Sequence, residues 1–273
     1  MDKNLNKLKN MKNLTDYIAE AYEYNYNISN VPKYTSTGTD KVGINKTNNK
    51  INNKTNYTVQ PKTKDELKEI IKDTFEHKQY DLNFIDTSKI TDMCELFVDI
   101  NHNFNVSNWD VSNVTDMSNL FRYCKEFNCD LSNWDVSNVI NMYSVFYYCE
   151  KFDCDLSNWD VSNVKTTGYM FAGCKNFKGK GLENWDVSNV KEMISMFNGC
   201  EQFNCDLSKW DVSSVTNMYS LFKRCNKFTG KGLENWDVSA VTDMHYMFDG
   251  KHGKTIDKVK LPKWAKERWY DFL

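Results

Sequence analysis

The chain predicts an α/β solenoid of about seven 25-residue turns, each a short strand followed by a short helix, closed by helical caps at both ends. Three observations predict it. Tryptophans recur at Trp109, Trp134, Trp159, Trp185, Trp210 and Trp236, a period of 25 residues with an occasional 26, which is a length typical of stacked solenoid turns. Each sits in nearly the same seven residues, first met as Asn108-Trp109-Asp110-Val111-Ser112-Asn113-Val114. Behind every tryptophan the apolar spacing then changes from two residues to three and four.

Trp134 and Val136 stand two apart, as on one face of a strand. Met142, Val145, Phe146 and Cys149 then fall at i, i+3, i+4 and i+7, a helical stripe that recurs as Met117, Leu120, Phe121 and Cys124 and again as Met218, Leu221, Phe222 and Cys225. Asp116, Asn141, Thr166, Asn217 and Asp243 precede these stripes in the place of helix N-caps, with Glu192 the exception. The 26-residue turns carry Gly179-Lys180-Gly181 and Gly230-Lys231-Gly232 where their neighbours have Cys-Asp, so the extra residue falls at a corner. Ile85 takes the tryptophan place in a degenerate first turn, which completes the seven. One such unit buries too little to order itself, and stability must come from neighbours.

The unit at residues 108–121 resembles the BspA-like leucine-rich repeat family, also described as the DUF285 or mycoplasma lipoprotein-type repeat. Six full copies carry the resemblance over about residues 57–250, and residues 60–93 resemble the family's N-terminal cap. The resemblance implies a leucine-rich-repeat-like fold in a surface-displayed, non-catalytic protein of adhesion or partner binding, with no defined ligand.

Four segments follow from composition. Residues 1–57 are an Asn/Lys-rich arm and flexible linker. Residues 58–83 hold an N-terminal helical cap, opened by the capping box Thr63-Lys64-Asp65-Glu66 ahead of Leu67, Ile70, Ile71 and Phe75. Residues 84–250 are the solenoid. Residues 251–273 form the C-terminal cap, with Pro262 before Trp264, Ala265, Trp269, Phe272 and Leu273. Within the arm, residues 11–21 resemble the capsid-targeting peptide of internal head proteins of T-even-like phages. That resemblance implies a cut after Ile18-Ala19-Glu20, makes Glu20 and Ala21 the processing candidates, and supplies the alternative function of a structural or internal head component of a virion. The bland rival is an unstructured arm.

A net charge of −2 over 273 residues, with acids interleaved among the bases, argues against nucleic acid as a partner. No apolar run is long enough to insert in a membrane. The Met1-Asp2-Lys3-Asn4 start lacks the apolar core of a signal peptide. That favours a cytoplasmic or virion-associated protein, whereas the family resemblance implies a cell surface. The expected partner is another protein, met by a monomeric solenoid. There is no phosphate-cradling glycine loop, no G-x-S-x-G and no histidine placed to activate a nucleophile, so neither an enzyme nor a cofactor is expected.

Nine cysteines invite a metal or redox reading, but Cys124, Cys149, Cys174, Cys200 and Cys225 hold the last place of the stripe, where a small hydrophobe fits a core. Cys129, Cys154 and Cys205 follow at a C-x4-C spacing, but the histidines His77, His102, His245 and His252 are scattered along the chain and the cysteine count is odd, so reduced thiols are expected ahead of disulfides or a metal site. Asp110, Asp135, Asp160, Asp186, Asp211 and Asp237 would stack as a ladder of like charges. Hydrogen bonds from corner amides and the following serine are the expected compensation, ahead of bridging calcium.

Outward positions differ from copy to copy. Around an inward-facing helix stripe, Arg122, Tyr123, Tyr147, Tyr148 and Arg224 point outward at one height, and Tyr143 and Tyr219 form a second row. Aromatic and arginine side chains are enriched at binding hot spots, which makes these seven the binding candidates. The rival reading is drift of loosely constrained surface positions.

Overall fold

In the computed structural model, residues 59–250 and 261–267 are described. Among them lie two α-helices, α1 (Lys64–Glu76) and α2 (Lys263–Glu267), and one turn of 3₁₀ helix at Leu182–Asn184. No strand is present there, only eight isolated parallel bridges. This overturns the strand-plus-helix turn. The chain stacks as predicted by its period, but each layer is a string of tight turns.

The stripe shows why it is not a helix. Asn119, Ser144, Tyr169, Ser195 and Ser220 are all left-handed, at φ between 51° and 57°, two residues after the position of the stripe methionine. Four residues further on, Tyr123, Tyr148, Gly173, Gly199 and Arg224 are left-handed again. A right-handed helix cannot accommodate either. Between them the chain closes three-residue turns, with Leu120 N donating to Met117 O, Arg122 N to Asn119 O and Cys124 N to Phe121 O. Turns of that length return an apolar residue to the inside every three or four positions, which is why the spacing imitates a helix. The strand half fails in the same way, since Trp134 N donates to Leu131 O and Val139 N to Val136 O.

A non-glycine residue costs about 1–2 kcal/mol in the left-handed region, and each one here is held by its neighbour. Asn119 N donates to Tyr143 O at 2.8 Å, Ser144 N to Gly168 O at 2.9 Å and Tyr148 N to Ala172 O at 2.7 Å. The fold is therefore stable only as a stack. The predicted N-cap residues keep a local role: Asp116 Oδ1 accepts from Ser118 N and Asn141 Oδ1 from Tyr143 N. Their backbones form the bridges that run from Asp92 through Asp116, Asn141, Thr166, Glu192 and Asn217 to Asp243. Glu192 is buried at its bridge, and burial raises its pKa.

Side chains repeat the stacking. The phenylalanines Phe121, Phe146, Phe171, Phe197 and Phe222 lie nearly parallel at 5.5–5.8 Å centroid spacing. Each repeat tryptophan gives its indole N–H to a carbonyl of the preceding turn, as Trp159 does to Leu131 O at 3.0 Å. The stripe cysteines do likewise, with Cys149 Sγ donating to Phe121 O at 2.9 Å. The repeat indole and stripe-thiol hydrogens inside the core are thus used to join layers, which satisfies groups whose burial would otherwise destabilise it.

The ends are closed by residues that continue the pattern. At α1, Thr63 caps the helix by accepting from Glu66 N, and buried Leu67 and Ile71 cover the first turn. At α2, Trp264 donates its indole N–H to Leu233 O at 2.7 Å, the bond a seventh repeat tryptophan would make. The expected cap residues Trp269, Phe272 and Leu273 lie outside the described residues.

Candidate functional site

Two edges of the stack differ in what their side chains are doing. Along the Trp-Asp-Val-Ser corner every carboxylate is occupied from within. Asp135 Oδ1 accepts from both Ser137 N at 3.1 Å and Ser137 Oγ at 2.6 Å, and these bonds lower its pKa, the hydroxyl's contribution being the larger. Ser112, Ser162, Ser188, Ser213 and Ser239 donate their amides to the aspartate before them in the same manner. The following asparagines add an inter-turn strut, Asn138 Nδ2 to Ser112 O and Asn163 Nδ2 to Ser137 O, both 2.8 Å.

On the other rim the side chains gather around tyrosine. Tyr147 packs edge to face on Tyr148 at 4.7 Å and on Tyr123 at 5.3 Å, with 70° between planes in each pair. Tyr169 joins Tyr147 at 6.0 Å and Tyr143 at 5.6 Å. The Arg122 guanidinium lies 5.0 Å from the Tyr123 centroid and 5.9 Å from that of Tyr147, so it buttresses the rings as a cation on their faces.

Beyond Tyr148 the rim falls away. In that column the next two turns carry Gly173 and Gly199, and Arg224 follows. A Cβ at Gly173 would sit 2.9 Å from the Tyr148 ring, so the ring lies directly against that glycine. The two glycines floor a groove of about 470 Å³, walled by Tyr147, Tyr148 and Tyr169 on one side and Arg224 on the other, with Lys175 and Glu201 at its edge. Lys175 already pairs with Glu150 at 2.6 Å.

Of the seven binding candidates, Arg122, Tyr123, Tyr143, Tyr147 and Tyr148 come together in this cluster, and Arg224 closes the groove. Tyr219 stands apart, paired edge to face with Tyr246 at 5.6 Å. Tyr169 was missed. A helical reading turns it away from Tyr147, whereas its left-handed backbone brings the two rings into contact. Its column otherwise holds small polar residues in four of six tryptophan turns, and that difference was the available signal. Glu20 and Ala21 lie outside the described residues.

The cysteines join the core. Cys124, Cys149, Cys174, Cys200 and Cys225 are buried and unbridged. Desolvation pushes Cys124 and Cys154 up to about 12, and Cys149 and Cys200 well above the ordinary thiol range.

The family described as "Mycoplasma protein of unknown function, DUF285" matches residues 65–183 and, a second time, residues 154–264. The chain belongs to the DUF285 family. The two matches overlap across residues 154–183 and together take in α1, the stacked turns and Trp264 of α2. No curated protein and no solved structure matches the chain. The DUF285 description carries no activity, and it does not extend to the leucine-rich-repeat part of the resemblance.

Proposed function

We propose that this DUF285 repeat protein is a non-enzymatic binding module whose tyrosine rim takes a protein partner, in the manner of an adhesin or scaffold. The supporting observation is the contiguous set Tyr123, Tyr143, Tyr147, Tyr148 and Tyr169 beside a groove ending in Arg224. Tyrosine and arginine contribute most to interface hot spots because a ring adds large contact area while few torsions are immobilised. The backbone beneath these residues is fixed turn to turn, so little ordering remains to be done on binding.

The test is a comparison of baits. Full-length chain and its Tyr147→Ala/Tyr148→Ala variant are used to capture partners, and any partner found is purified and titrated against both. Loss of binding by at least tenfold in the variant, with its unfolding transition intact, supports the reading. Equal affinity for both baits contradicts it.

A further inference from the structure

The groove has features that select among peptide conformations, and the inference drawn from them rests on the partner-binding reading above. We propose that it binds a proline-rich peptide segment in the polyproline II conformation, with an acidic residue at the end that reaches Arg224.

Ring orientation points there first. Tyr147 stands at 70° to Tyr148 and at 75° to Tyr169, with centroids 4.7 and 6.0 Å apart, so the wall is a ridge of touching rings that presents edges as well as faces. A pyranose chair stacks through one C–H face on a broad open aromatic face, and Tyr148 has one of its faces against Gly173. Pyrrolidine rings pack on such aromatic ridges, and the preformed polyproline helix loses little entropy when it docks in an aromatic-lined groove.

Length and charge agree. Three stacking steps of 5.6, 5.8 and 5.7 Å separate the Tyr148 turn from the Arg224 turn, about 17 Å in all. At about 3.1 Å per residue, that distance accommodates five to six residues of polyproline helix. The Tyr148 ring lies over Gly173, and beyond it Gly199 keeps the floor low as far as Arg224, since a Cβ added at Gly199 would meet nothing closer than the Gly173 backbone at 3.6 Å. At the far wall, Arg224 is exposed and forms no ion pair among the described residues, unlike Lys175 on Glu150 and Lys223 on Asp249. A planar guanidinium of this kind is matched by a carboxylate, which it can hold through two parallel hydrogen bonds.

The experiment titrates fluorescein-labelled hexaproline peptides bearing one aspartate, at the N- or the C-terminal end, into the full chain and follows anisotropy. Hexaproline with lysine in place of aspartate, a Gly-Ser hexamer with the aspartate, and maltohexaose as an unlabelled competitor are the comparison probes. Saturable binding of one aspartate peptide, at least tenfold tighter than the lysine and Gly-Ser peptides, supports the inference. Arg224→Gln, at an exposed position, should bring the aspartate and lysine peptides within threefold of each other, and Tyr147→Ala/Tyr148→Ala should weaken both.

Equal binding of the Gly-Ser peptide, competition by maltohexaose without selectivity for proline, or no saturation by any peptide would overturn it. If a captured protein needs Tyr147 and Tyr148 but is not displaced by the aspartate hexaproline, this inference fails while the partner-binding reading stands. If the captured protein binds the tyrosine variant unchanged, the broader reading fails.

Discussion

The Trp-Asp-Val-Ser corner and the tyrosine rim belong to the same turns, yet they spend their polar groups differently. At the corner, serine and asparagine close every aspartate and many carbonyls against one another, and the pattern hardly changes between copies. At the rim the backbone is closed just as tightly, but the side chains change from tyrosine to glycine to arginine along one column. The difference teaches where function can reside in a repeat stack. Positions whose groups are used up joining layers cannot also serve a ligand, and positions relieved of that duty by the backbone can.

That contrast can be broken most severely at the glycine corners. Gly181 has φ 94°, and a Cβ there would lie 2.2 Å from Ser157 N. Gly181→Ala is therefore expected to destabilise by more than about 3 kcal/mol, through backbone strain and collision with the preceding turn. Chemical denaturation would show it as a lower midpoint; an unchanged midpoint would mean the corner is pliable. Next in size is the indole ladder. Trp159→Phe leaves the buried Leu131 carbonyl without its donor and removes aromatic volume, a loss of about 2–4 kcal/mol.

A chemical probe sharpens the same division without mutation. Buried thiols joined to carbonyls should be inert, so a thiol reagent at pH 8 should modify at most Cys94 rapidly, the one cysteine that is only half-buried. All nine should react once the chain is unfolded. Fast reaction of several thiols in the native state would place them outside the core.

The smallest effect concerns pH. Asp155 is held near 2 by the Lys180 ammonium and then by Ser157, against about 3.9 for an unfolded aspartate. A folded pKa below the unfolded one means that the unfolded state binds more protons in this window. The stability Asp155 contributes is thus complete above about pH 4 and is lost as pH falls toward 2. Asp155→Asn should accordingly narrow the stability difference between pH 6 and pH 2, though only slightly, because the pair is exposed and water screens it. Denaturation midpoints at the two pH values would measure this.

Much of the architecture was legible because stacking imposes identity. The tryptophan period, the glycine-bearing long turns, the buried cysteines and the capping box at Thr63 are all consequences of one layer having to fit the next. The helix and strand were not legible from apolar spacing, since Met117, Leu120, Phe121 and Cys124 return to the interior as readily through three-residue turns as through a helix. A clue was present in Gly173 and Gly199, which share a column with Tyr123, Tyr148 and Arg224. Glycine recurring in the middle of a supposed helix signals a left-handed position. The rim was partly legible for the same reason: Tyr147 and Tyr148 stood out as departures from the repeat, but bringing Tyr169 beside them required the true backbone path.

The central claim is that the outward tyrosines stand on a backbone bonded layer to layer. Native-state amide hydrogen exchange, resolved by NMR, tests it most directly at Ser144, Tyr148, Tyr169 and Gly173, whose N–H groups donate to Gly168, Ala172, Ile194 and Asn198 carbonyls. The account predicts that all four exchange only through global unfolding, at the slow limit shared with core amides such as Phe146. Exchange of these amides within minutes, while Phe146 remains protected, would contradict it.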